Sequence, residues 1–116
     1  MKNITKYFQP KYYSKYFPPK FLQNIFRCVR STLASGTTTA CYFATIHSEA
    51  SLALANICRE LGQRAFVGKV CMDRNSPETY KEETAQSLEA TRTFVQAQTG
   101  PLTPALLCHK DTAQGT

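Results

Sequence analysis

The sequence predicts an α/β fold in which two parallel strands alternate with helices. Three observations lead there. Two short runs, "TTTACYFATI" at residues 37 to 46 and "RAFVGKVCM" at 64 to 72, are rich in β-branched and aromatic residues and too apolar to alternate, as strands covered on both faces are. Each run is followed by a longer segment with helical spacing, and short turns join them. The order helix, strand, helix, strand, helix calls for a right-handed crossover and equal strand direction. Two parallel strands alone leave both edges open, so the unit reads as a piece of a larger sheet or barrel.

The first helix is expected from Phe21, because Phe21, Leu22, Ile25, Phe26, Val29 and Leu33 follow an i, i+3, i+4 stripe and Gly36 suits the left-handed position past its end. After the first strand, Ser48 is expected to cap the second helix, with Glu49 favoured in its first turn. Leu52, Ala55, Ile57, Cys58 and Leu61 supply its inner stripe, and Gly62 ends it. The second strand is expected to run unbroken through residues 64 to 72. "DRNSP" then breaks the chain, and a third helix over 78 to 98 is expected to pack through Tyr80, Thr84, Leu88, Thr91 and Val95.

Charge separates the ends from the middle. Of the formal net +6, residues 1 to 30 carry seven basic side chains and no acid, while the rest of the chain is close to neutral. The excess lies beside an imperfect repeat, "KYFQPKYY" at 6 to 13 and "KYFPPKF" at 15 to 21, where Pro10, Pro18 and Pro19 oppose a continuous helix. Lysines interleaved with aromatics would suit a single-stranded nucleic acid. Prolines and unpaired lysines at a terminus fit a disordered tail better, so residues 1 to 20 are read as such a tail, with only weak, salt-sensitive nucleic-acid binding expected. Residues 99 to 116, with two prolines and a small-polar end, are expected to be irregular apart from the start of a third strand near Leu102 to Cys108.

Five cysteines, none in C-x-x-C spacing, predict free and mostly buried thiols in a reducing compartment, hence a cytoplasmic location. No apolar run is long enough to span a bilayer, and no cleaved signal is read at the N-terminus. Glycines in neither phosphate-binding pattern argue against a nucleotide cofactor.

In parallel α/β folds the reacting groups stand at the carboxyl ends of strands. That rule selects His47, after the first strand, and Asp73, after the second, and puts both at the same end. Neither has partners in sequence. A zinc site needs three or four ligands, the only other histidine is His109, and no H-x-H or H-E-x-x-H occurs. His47 is therefore read as a loop residue at a helix start and Asp73 as a turn residue. Cys41 and Cys71, in apolar strands without a neighbouring base, are read as inert core thiols.

The residues also carry a likeness that spacing does not supply. "GTTTACYFATIHSEASLALANICRELGQRAFVGKVCMD", residues 36 to 73, resembles the second and third βα units of the guanine deaminases, a branch of the amidohydrolase superfamily, and "YKEETAQSLEATRTFV", residues 80 to 95, resembles them more loosely. Residues 27 to 98 bound the likeness. It implies part of a TIM-type (β/α) barrel and a hydrolase of purine catabolism. One zinc there activates water against the C2 amino carbon of guanine, releasing xanthine and ammonia, in a cytoplasmic homodimer. The same likeness implies that the zinc ligands, the proton-carrying glutamate and an Arg-Phe purine clamp lie on strands outside this stretch, since Ala105-Leu106 follows Thr103-Pro104. No catalytic, cofactor-binding or metal residue is then expected in this chain, which reads as a truncated, spliced or wrongly joined product of such a gene. Two other readings stand beside it: a module that pairs with a full-length subunit, and a weak nucleic-acid binder through residues 1 to 20.

Overall fold

A computed structural model describes residues 18–98, together with the backbone of 109–110. Tail residues 1 to 17, the third-strand segment at 102 to 108 and Cys108 lie outside the described residues.

Helix α1 spans Pro19–Ala34. It begins two residues before the expected Phe21 because Pro19 occupies the first turn, where a missing N–H costs nothing, and Pro18 supplies the extended residue ahead of it. Its expected stripe is the packed one: Leu22 and Val29 are buried, and Ile25 and Leu33 lie against the core. At the far end, Gly36 (φ +88°) turns the chain so that its N–H reaches the Leu33 carbonyl and the Thr37 N–H reaches that of Thr32.

Strand β1, Thr39–Phe43, and strand β2, Arg64–Gly68, pair in parallel, with Thr39 opposite Arg64 and Phe43 opposite Gly68. The second run is not one strand. It breaks at Lys69 and resumes as the two-residue β3, Val70–Cys71, which pairs in parallel with β4, His109–Lys110. Helix α2, Ser48–Leu61, crosses between β1 and β2, and Gly62 (φ +75°) ends it with the same pair of bonds as α1, Gly62 to Arg59 and Gln63 to Cys58. Helix α3, Thr84–Ala97, follows a 3-10 turn at Glu78–Tyr80.

One apolar cluster joins all three helices to one face of the sheet: Val29 from α1, Ala55 and Cys58 from α2, Ala65 and Val67 from β2, and Phe94 from α3. No described helix packs on the opposite face. Thr39, Cys41, Arg64, Phe66 and Phe43 are exposed there, with Phe43 57% and Phe66 40% accessible. The expectation of strands covered on both sides is therefore corrected, because the described helices lie on only one. Cys41 is exposed rather than a core thiol, Cys28 is exposed, Cys71 is half-buried, and Cys58 is the fully buried one.

The inner stripe of α3 is also corrected. Ser87 and Phe94 are buried, while Leu88 is 67% exposed. Pro77 opens the separate 3-10 turn and Lys81 is extended, so the helical phase starts at Thr84 rather than at residue 78.

At the amino ends of the strands a buried amide ties three elements together. Gln63, 1% exposed, donates from Nε2 to Thr32 Oγ1 (2.9 Å) and to the Thr37 carbonyl (2.9 Å), and its Oε1 accepts from the Tyr42 hydroxyl at 2.7 Å. A buried primary amide is tolerable only when so fully engaged.

Burial pushes the Cys58 thiol from 9.0 up to about 11, against a smaller lowering by a backbone hydrogen bond. A raised folded value means that the folded state holds its proton more tightly than the unfolded chain does. The contribution is thus complete below pH 9.0 and is lost as pH rises through about 11. Urea midpoints should be flat with respect to this group up to about pH 9 and fall across that window, and Cys58→Ala should flatten the fall. An identical fall in Cys58→Ala would assign it to other groups.

Candidate functional site

Both residues selected from the sequence stand past the carboxyl ends of the parallel strands, so the structure brings the two loops to one end of the sheet. His47 precedes α2 with extended dihedrals (φ −83°, ψ 112°) and makes no side-chain capping bond. Ser48 is the first helical residue rather than the cap, because its hydroxyl turns to Glu49 Oε2 at 3.4 Å. Thr45 Oγ1 accepts the His47 N–H at 3.2 Å, and Ser51 Oγ donates to the His47 carbonyl at 3.0 Å, which fixes this loop from both sides.

Asp73 is committed to local structure. Its Oδ1 accepts from Arg74 Nε at 3.1 Å and its Oδ2 from the Thr84 hydroxyl at 3.0 Å, which ties the end of β3 to the first residue of α3. Two residues on, Asn75 takes a positive φ of 55°, a turn conformation that Asn tolerates.

Three residues that organise this end have no motif in the sequence. The Tyr80 hydroxyl accepts the Ile46 N–H at 3.1 Å, and its ring meets the His47 imidazole edge-on with centroids 6.4 Å apart. Tyr80 thereby latches the second loop onto the first. Behind it lies an ion pair, Lys69 Nζ to Glu82 Oε1 at 2.7 Å, with the Lys69 side chain fully buried and that of Glu82 14% exposed. Lys69 Nζ also donates to the Val70 carbonyl (3.0 Å), while Glu82 Oε2 accepts from the Met72 N–H (3.2 Å) and the Ser87 hydroxyl (3.1 Å). The lone Lys in "FVGKVCM" was the available signal, since an ammonium among apolar neighbours demands a buried acid.

This arrangement is a scaffold for loops. Among the described residues, no three His, Cys, Asp or Glu side chains gather where they would hold a metal ion. His47 faces an aromatic ring and Asp73 is engaged by Arg74 and Thr84, so the described residues do not fit a zinc site. No helix among the described residues is long and apolar enough to cross a membrane.

The described residues are similar to parts of known proteins. Guanine deaminase from Homo sapiens is 63% identical over 71 residues, which are 60% of this chain and 15% of that protein. Guanine deaminase from Dictyostelium discoideum is 55% identical over 76 residues, 65% of this chain and 17% of its own length. Among solved structures, guanine deaminase from C. acetobutylicum with guanine bound in the active site superposes with a TM-score of 0.67 at 25% identity, covering 78% of this chain and 24% of that one. The chain thus spans less than a fifth of the length of these two relatives. The pattern of the Amidohydrolase family matches residues 15–113, wider than the 27 to 98 expected from the residues, and takes in the whole of α1, whose Val29 sits in the common core. This chain belongs to the Amidohydrolase family.

Proposed function

We propose that this chain is a scaffold segment of a guanine deaminase-like hydrolase: two neighbouring βα units of a TIM-type barrel that place loops on the reactive end without themselves supplying the reacting groups. The observation that carries the reading is the 63% identity over 71 residues to a guanine deaminase, a level at which loops as well as core are shared. All three helices lying on one face of the parallel pair supports it, because a barrel keeps its helices outside. In the whole enzyme the reaction would be hydrolytic deamination of guanine to xanthine and ammonia in the cytoplasm. The zinc implied by the likeness would be held by residues outside the described part of this chain. Here Tyr80, Asp73 and the Lys69–Glu82 pair set the height and order of two loops, and His47 lines one of them.

The test is a chimera in which the matched 71-residue stretch of the human enzyme is replaced by the corresponding residues of this chain. The chimera should fold and produce xanthine from guanine. A well-folded chimera without turnover would show that these units have lost compatibility with the site and would overturn the reading.

A further inference from the structure

We propose that the polar face of α1 is an interaction surface for a single-stranded nucleic acid, which Lys20, Arg27 and Arg30 hold by its phosphates. The proposal goes beyond the hydrolase reading and does not rest on it. All three side chains are exposed. With about 3.6 residues per turn, Arg27 stands about 20° and Arg30 about 80° around the helix axis from Lys20, while buried Leu22 and Val29 stand about 180–200° from it. The three cations therefore share the side opposite the core, spread over about 15 Å of helix. Gln23, Asn24 and Ser31, exposed on the same side, add neutral groups of the kind that bind phosphate oxygens.

Charge on this chain is segregated, and the pairing follows the same division. The first acidic residue is Glu49, so residues 1 to 48 carry seven basic side chains and no acid. Beyond Glu49, Lys69, Arg74, Lys81 and Arg92 each have a carboxylate oxygen 2.7 to 3.6 Å away. Lys20, Arg27 and Arg30 have no such partner among the described residues. A face of unpaired cations calls for an anion from outside. A bilayer is the poorer occupant, because an interfacial helix binds through its apolar face, and Leu22, Ile25, Val29 and Leu33 of α1 are already packed in the core. A nucleic-acid strand asks only for cations along its backbone and flat rings for its bases. The sequence leading into α1, "KYFQPKYYSKYF" at residues 6 to 17, supplies six aromatic rings and three lysines.

The full chain is titrated, by fluorescence anisotropy at several salt concentrations, against a labelled oligothymidylate longer than the roughly 4–16 nucleotides that such sites span. A single strand releases about 0.7 counterion per phosphate neutralised, so the triple variant Lys20→Ala, Arg27→Ala, Arg30→Ala should flatten the slope of log K against log salt by about 2. Between about 50 and 200 mM salt, that difference makes the variant's affinity roughly 16-fold less salt-sensitive than the parent's. Arg92→Ala, which removes one exposed cation from α3, should leave the slope unchanged. Circular dichroism should show the triple variant folded, because alanine favours a helix and none of the three side chains is buried. Should it unfold, Lys20→Ala and Arg27→Ala made singly must each flatten the slope by about 0.7. A slope that these substitutions leave unmoved overturns the proposal, as does one that Arg92→Ala flattens equally, since binding would then track net charge and not this face. No binding at low salt overturns it too. Phosphatidylserine vesicles that bind the chain at a lower phosphate concentration than the oligonucleotide would make the occupant a membrane. Polyglutamate that displaces the oligonucleotide equally well per charge would make it any acidic chain, and either result sinks the assignment to nucleic acid.

Discussion

Glu82→Ala should destabilise the chain by about 3–5 kcal/mol, the usual cost of stripping one partner from a buried ion pair. The Lys69 ammonium has no exposed surface, and without Glu82 its remaining contact is the Val70 carbonyl at 3.0 Å. The same substitution also orphans the Met72 N–H and the Ser87 hydroxyl. Lys69→Met should be milder, about 1–2 kcal/mol, because Met fills most of the space of the lysine stem and Glu82 keeps two donors and some water. The double substitution Lys69→Met with Glu82→Gln should recover much of the loss, since no buried charge remains. Urea unfolding followed by circular dichroism reads all three. Equal and small losses for the two single substitutions would mean that Lys69 reaches water in solution.

Phe94→Ala should cost about 3–5 kcal/mol, the range for truncating a buried aromatic, whereas Leu88→Ala should stay within about 0.5 kcal/mol. Phe94 is 1% exposed and touches the cluster shared by α1, α2 and β2, while Leu88 is 67% exposed. Against a total stability of roughly 5–15 kcal/mol for an ordinary domain, Phe94→Ala is expected to remove a large share of the folding stability. The reverse ranking of the two substitutions would put α3 in the register that its leucine suggests.

That contrast shows what the sequence makes legible. Apolar periodicity over α1 locates its packed face because Leu22, Ile25, Val29 and Leu33 recur at helical spacing on the buried side, and Gly36 and Gly62 mark helix ends because positive φ is cheap for them. The parallel pairing of the two strands follows from the alternation of elements. The register of α3 is not legible, because Pro77 inserts a 3-10 turn that shifts the helical phase, and no spacing rule registers that shift. Strand burial is misjudged for a different reason. An apolar run shows that a surface needs covering, but not whether the cover lies in the same chain, and Phe43 and Phe66 are apolar yet exposed. At the site, His47 and Asp73 are found by topology alone. Tyr80, Lys69 and Glu82 act through tertiary pairs 13 to 34 residues apart in sequence, which no local motif encodes.

The most direct test of the scaffold account is made on the chain itself: zinc per molecule by elemental analysis, together with xanthine formation from guanine in the presence of added zinc. A catalytic zinc needs at least three preorganised ligands, and none of the described groupings supplies them. The account predicts zinc well below stoichiometric and no xanthine above the uncatalysed background. About one zinc per chain, with turnover that His47→Ala abolishes, would contradict it and make this chain a compact enzyme in its own right.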